Sequence, residues 1–175
     1  MNYQNIAEIY AENDKIRERL KETVSGLTDE QSMSLPDGEK WTIAQIVEHL
    51  SIVEDGMTRV SAKLLKAAEG SGKKSDGKVQ FSEDFARKIG IMRKRKFEAP
   101  DRVRPSGNQT IQESLAKMEE NRRKLYELKP LFEQFECTDF KFPHPLMGEL
   151  IATEWLTLIG EHEARHLEQI KRMLN

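Results

Sequence analysis

The stretch Glu154-Trp155-Leu156-Thr157-Leu158-Ile159-Gly160-Glu161-His162-Glu163-Ala164-Arg165-His166-Leu167-Glu168-Gln169-Ile170 decides how this chain is read. A helix turns about 100° per residue, so with Trp155 set as zero, Ile151, Leu158, Ile159 and Met173 fall within roughly 60° of it. They mark one apolar stripe on a helix expected from near Gly148 to about Met173. His162 and His166 fall about 20° to either side of the zero line. Two imidazoles one turn apart therefore point into a buried seam, where each ring needs a polar partner.

Such a seam needs other helices to cover it, and the rest of the chain supplies three. Asn2 to Leu27 spaces Ile6, Ile9, Tyr10, Ile16, Leu20 and Val24 as an amphipathic helix does. The second helix opens on a capping box, Thr42 with Gln45, and Trp41 can staple onto Ile46. Its stripe runs through Ile43, Ile46, Leu50, Val53, Met57, Val60 and Leu64 to about Ala68. A second capping box, Thr110 with Glu113, opens a third helix through Ile111, Leu115, Met118, Leu125 and Leu128, ending near Pro130. Between them, Gly70 to Lys78 is small, polar and glycine-rich, and Gly90, Pro100, Pro105 and Gly107 allow only short helical pieces. No segment alternates as a strand does. The prediction is all-α: a four-helix bundle in one domain over residues 1–175, with a longer crossover between helices two and three.

Composition narrows the function classes. Lys+Arg number 28 against Asp+Glu 30, a formal net charge of −2, so no global bias points to nucleic acid or an anionic membrane. The one cysteine, Cys137, excludes an intrachain disulfide and zinc sites of the CxxC type, so any metal falls to His, Asp or Glu. Glu8 and Glu12 stand where a secretory signal needs an apolar run, and Glu149 and Glu154 interrupt the most apolar segment. A cytoplasmic protein with no membrane partner is expected. Gly72-Lys73 does not complete a phosphate loop, because Ala67 and Lys74 occupy the flanking positions. The basic run Arg87, Lys88, Arg93, Lys94, Arg95, Lys96, Arg102 and Arg104 contains one aromatic residue, Phe97, and reads as a solvated crossover or an anion-recruiting rim; no nucleic-acid partner is expected.

His49 lies roughly 60° from the centre of the second helix's stripe, on the shoulder facing a neighbour. Three histidines converging can be hydrogen-bonded core residues without a metal. They can also bind one ion, since His at i and i+4 with a third His leaves an open coordination position. His162-Glu163-Ala164-Arg165-His166 also fits H-E-x-x-H, with Glu163 as base, yet only Glu168 follows as a further carboxylate. One E-x-x-H unit, Glu163 to His166, is half of a di-iron motif whose other half is missing. Glu163 lies about 80° from the stripe centre, so it reads as a ligand-bonding group, a base, or an exposed side chain. Arg165 reads as a surface cation, and His144, before Pro145, as a turn or rim residue.

Trp41-Thr42 with His49-Leu50, Phe97-Glu98-Ala99-Pro100 with Pro105, the run His144 to Leu150, Glu154-Trp155, and His162 through Ile170 together resemble the DinB/YfiT-like superfamily over nearly the whole chain. The resemblance implies a four-helix bundle in which His49, His162 and His166 hold one divalent metal ion per chain, zinc or nickel, and a possible homodimer. It also implies thiol-dependent S-transferase or isomerase chemistry with bacillithiol, mycothiol or glutathione. The residues from Lys73 to Lys96 depart from it, being longer and more basic. A metal-dependent transfer of a small-molecule thiol to an electrophilic substrate is the leading expectation, because three neutral imidazoles leave an ion's charge nearly intact and able to ionise a thiol. A metal hydrolase using Glu163, and a non-catalytic bundle that binds a partner, are the alternatives.

Overall fold

The computed structural model describes residues 3–94 and 97–174, so Arg95 and Lys96 of the basic run lie outside the described residues. In chain order the elements are α1 (Ile6–Val24), α2 (Asp29–Met33), α3 (Ile43–Ser71), α4 (Phe85–Lys94), a 3-10 turn (Asp101–Val103), α5 (Ile111–Glu127), α6 (Lys129–Gln134), β1 (Lys141–His144), β2 (Gly148–Ile151) and α7 (Ala152–Leu174). Helix starts leave backbone N–H groups without partners, and short polar side chains take them. Asn5 accepts from the Glu8 N–H, and both expected capping boxes form, Thr42 with Gln45 and Thr110 with Glu113. Thr28 with Gln31 makes a third one on α2.

The long helices α1, α3, α5 and α7 form the bundle, and their direction follows from the crossover. Asn13 on α1 donates to the Leu156 carbonyl and Arg17 one turn on meets Glu163, so α1 and α7 run the same way. Asn121 donates to the Ser51 carbonyl and Arg122 to Glu54, so α3 and α5 also run together. The residues between α3 and α5 carry the chain back to the end where α3 began. At Gly160 the α1–α7 approach is close: a Cβ there would meet Asn13 Oδ1 at 2.0 Å.

Two buried glutamates pin the ends of this crossover. Glu154, fully buried on α7, accepts from the Ser82 N–H (2.7 Å) and Oγ (2.5 Å) and from the Ile151 N–H (3.0 Å). Glu48 on α3 accepts from the Ser106 N–H (2.9 Å) and Oγ (2.6 Å) and from the Gly107 N–H (2.9 Å). Gly107 has φ +78°, a left-handed conformation that glycine adopts without strain. The middle of the crossover folds as the amphipathic α4, whose Phe85 and Ile89 enter the core.

Two local expectations are corrected. The last helix begins at Ala152, and Gly148 to Ile151 is instead a strand paired antiparallel with Lys141 to His144, in register Lys141 with Ile151 and His144 with Gly148. Four-residue strands carry too little alternation for the pattern to show. His144 accordingly ends a strand, with Gly148 at φ +69° where the chain turns back. Pro130 lies in the first turn of α6, where its missing N–H goes unneeded.

The interior is layered. One apolar cluster joins Ile9, Tyr10, Leu65, Phe85, Leu125 and Trp155 to Ile159. A second joins Leu20, Ile46, Leu50, Met118, Leu167 and Ile170. Between them lies a charged layer with one residue from each long helix: Arg17, Glu54, Arg122 and Glu163, each 6% exposed or less.

Candidate metal centre

His49 comes from α3 and His162 and His166 from α7, where the i, i+4 spacing stacks two rings on one face. The ring centroids are 5.1 Å apart for His49 with each of the others and 4.6 Å for His162 with His166. One nitrogen from each ring lies within 4.8 Å of the others. The structure thus brings together the three histidines singled out from the sequence. His144 stands apart, its ring 5.3 Å from Trp155 and its Nδ1 accepting from the Leu146 N–H.

The outer nitrogens are already committed. His49 Nδ1 faces the Val103 carbonyl at 2.7 Å. A carbonyl can only accept, so Nδ1 carries the proton and Nε2 of the neutral ring offers its lone pair. His166 Nδ1 faces Gln169 Oε1 at 2.9 Å, and Gln169 Nε2 donates to Glu39 at 2.7 Å, which fixes which way the amide points. His166 Nε2 is thereby also left as a lone pair. The loop carrying Val103 is the one Glu48 grips through Ser106 and Gly107, and Trp41 lies against His49 at 4.8 Å between centroids. Val103, Glu39 and Glu48 were not singled out as site residues from the sequence, because each acts through a contact distant along the chain; Gln169 reaches His166 from three residues on, a local i, i+3 spacing that could have signalled it.

His49 Nε2 and His162 Nε2 are 3.3 Å apart. Two nitrogens each about 2.0–2.1 Å from one tetrahedral ion sit about 3.3–3.4 Å apart, so this pair already has the spacing of neighbouring ligands. Burial holds all three imidazoles neutral. It pushes His49 down, partly offset by the Val103 hydrogen bond; it lowers His166 to about 3 and His162 well below the usual range, with the neighbouring histidines and Arg165 adding to the effect. Neutral imidazole is the form that binds metal. These residues fit a divalent ion, and no carboxylate is among them.

Glu163 departs from expectation. It is buried rather than exposed, because α1 covers it: Arg17 Nε donates to one oxygen at 2.7 Å and Arg17 Nη2 to the other at 3.1 Å. Arg122 lies 3.6 Å away, and Glu54 shares both arginines. Burial raises the Glu163 carboxyl and Arg17 opposes that. Arg165 is half-buried rather than a surface cation, with its guanidinium 6.0 Å from the centre of the Phe97 ring.

Fold and site define a helical bundle with three buried imidazoles aimed at one point. The chain belongs to the DinB superfamily, whose family model matches residues 12–170. It is similar to an uncharacterised Bacillus subtilis (strain 168) protein, YuaE, with 30% identity over 155 residues covering 86% of this chain and 87% of that one. The crystal structure of TT2238, a four-helix bundle protein, superposes with a TM-score of 0.60 at 22% identity, over 94% of this chain and 96% of that one, which supports the fold. Among the described residues no helix is long and apolar enough to cross a membrane.

Proposed function

We propose that this chain is a metal-dependent thiol S-transferase, with one zinc or nickel ion held by Nε2 of His49, His162 and His166. The observation that carries the reading is the commitment of two outer nitrogens, to Val103 and Gln169, which leaves their partners converging as lone pairs. The bound ion would supply acidity to a small thiol, making its sulfur the nucleophile toward an electrophilic carbon whose leaving group departs with the bonding pair.

The chain's own residues do the rest. Glu48 holds the loop that places the Val103 carbonyl; Glu39 holds Gln169; Trp41 packs against the His49 ring. Glu163 serves the frame, since Arg17 takes both its oxygens, and that geometry ranks amide or ester hydrolysis behind thiol transfer. The test is metal content of chain purified without a His-tag or chelator, followed by reaction of glutathione and cysteine with monochlorobimane. About one ion per chain, with thiol consumption faster than in the metal-stripped protein, is expected. A chain that takes up no zinc or nickel, or gives no acceleration with any small thiol, overturns the reading.

A further inference from the structure

The histidine trio is tightly covered. His49 and His166 are 4% and 6% exposed. Two cavities touch His162, one beside Glu54 and Glu163 and the other beside Ile89 and Leu158, and each has room for about one water molecule. By these routes no thiol and no hydrated metal ion reaches the inner nitrogens of His49 and His166 while the chain is packed in this way.

The covering over His49 is built differently from the helices around it. From residue 97 to residue 110 no residue is buried, whereas each long helix carries a buried face. This strap holds its own shape: the Val103 N–H donates to the Pro100 carbonyl (3.0 Å), the Arg104 N–H donates to the Asp101 carbonyl (3.1 Å), and Arg104 Nε pairs with Asp101 at 3.2 Å. Its ties to the bundle are uneven. At one end Glu48 grips Ser106 and Gly107 through three hydrogen bonds. In the middle the Val103 carbonyl meets His49, and toward the other end Glu98 pairs with Lys40 while Phe97 lies against Arg165. Lys40 and Glu98 are 79% and 74% exposed, and an ion pair in water holds weakly.

We propose that residues 97–104 form a strap that swings open about the Glu48 grip to admit a ligand to the histidines and closes over it, with Lys40 and Glu98 as its latch. Opening breaks the latch, the Phe97–Arg165 contact and the Val103–His49 bond. It costs far less than unfolding the bundle, because no buried side chain leaves the core. Closing returns the Val103 carbonyl to Nδ1 of His49, so the movement that seals the site also orients a ligand ring. This rests on the reading of the trio as a ligand site and names how that site is reached.

The test exposes the full chain, free of metal, to diethyl pyrocarbonate, which acylates neutral imidazole, and reads His49 by mass spectrometry of its peptide. Cys137, buried in the first apolar cluster and followed with a disulfide reagent, reports opening of the bundle as a whole. Each rate is taken relative to that of the same group in the urea-unfolded chain. On that scale His49 should be protected, yet react at least about tenfold faster than Cys137. Glu98→Lys should raise the His49 rate about threefold and leave Cys137 unchanged; adding Lys40→Glu, which restores the pair with its charges exchanged, should bring the rate back. Equal relative rates for His49 and Cys137 overturn the proposal, since the histidines are then reached only by global unfolding. An unprotected His49, or a Glu98→Lys rate equal to the native one, overturns it too. Neither metal nor thiol takes part, so failure here is distinct from failure of the thiol reading, which the monochlorobimane assay decides.

Discussion

Two polar clusters are buried side by side in this bundle, and they solve the problem of burial in opposite ways. The charged layer of Arg17, Glu54, Arg122 and Glu163 balances itself: two guanidinium groups face two carboxylates, one residue from each long helix. In the histidine trio two outer nitrogens, those of His49 and His166, are committed, and the inner Nε2 atoms of His49 and His162 face each other at 3.3 Å. A buried cluster whose charges cancel holds helices in place even with Arg17 Nη1 and Arg122 Nη2 left without a hydrogen bond, whereas neutral lone pairs converging on one another are a place for a ligand. His162 and Glu163 are neighbours in sequence yet belong to different clusters, because one helical step of about 100° turns one toward α3 and the other toward α1.

If the two clusters are separate systems, substitutions in one should leave the other's signature untouched. The largest effect is expected at the trio: His49→Ala, His162→Ala and His166→Ala should each abolish stoichiometric metal uptake, measured by metal analysis of the purified chain. Next, Arg17→Met leaves Glu163 and Glu54 with Arg122 as their one remaining guanidinium in the layer and should cost about 3–5 kcal/mol in denaturant unfolding, while the variant still takes up metal. Metal lost in proportion to stability there would mean that the clusters are one unit.

Acid should sharpen the contrast. His166 is lowered to about 3 and His144 to about 4, so between these values and the ordinary histidine pKa near 6.5 the unfolded chain binds more protons than the folded one. Stability is therefore fully present above about 6.5 and is lost as pH falls. Metal-free chain should lose about 1–2 kcal/mol per such histidine between pH 7 and pH 5 in urea titrations. Bound metal should be released over the same descent, since protons compete for the same nitrogens.

The smallest predicted effect compares the two clamps. Glu48→Gln and Glu154→Gln remove chemically matched anchors of the crossover, and both should lower the melting temperature. Only Glu48→Gln should weaken metal binding, by about 10–100-fold, because only its loop carries the carbonyl that orients a ligand histidine. Equal metal affinity in the two variants would remove Val103 from the site.

Helix spacing, capping boxes and the His162–His166 stripe were legible because they are local: a period of about 3.6 residues and a side chain three positions from its partner need no tertiary contact. The hairpin at Lys141–His144 and Gly148–Ile151 was not, because its pairing is made between strands too short to show a period. The exposure of Glu163 and Arg165 was misread for a related reason. Their angle on α7 was right, but what covers that angle is α1 in one case and the Phe97 segment in the other.

By itself the sequence determined four amphipathic helices, the crossover between the second and third, and three histidines on buried or shoulder positions, since each follows from spacing along one helix. Only the tertiary structure decided that α1 runs with α7, that Glu163 answers to Arg17, that Val103 sets the tautomer of His49, and that Glu39 fixes which way the Gln169 amide faces His166. Those are contacts between residues far apart in the chain. Their geometry is fixed by how helix faces pack, and no local periodicity encodes it.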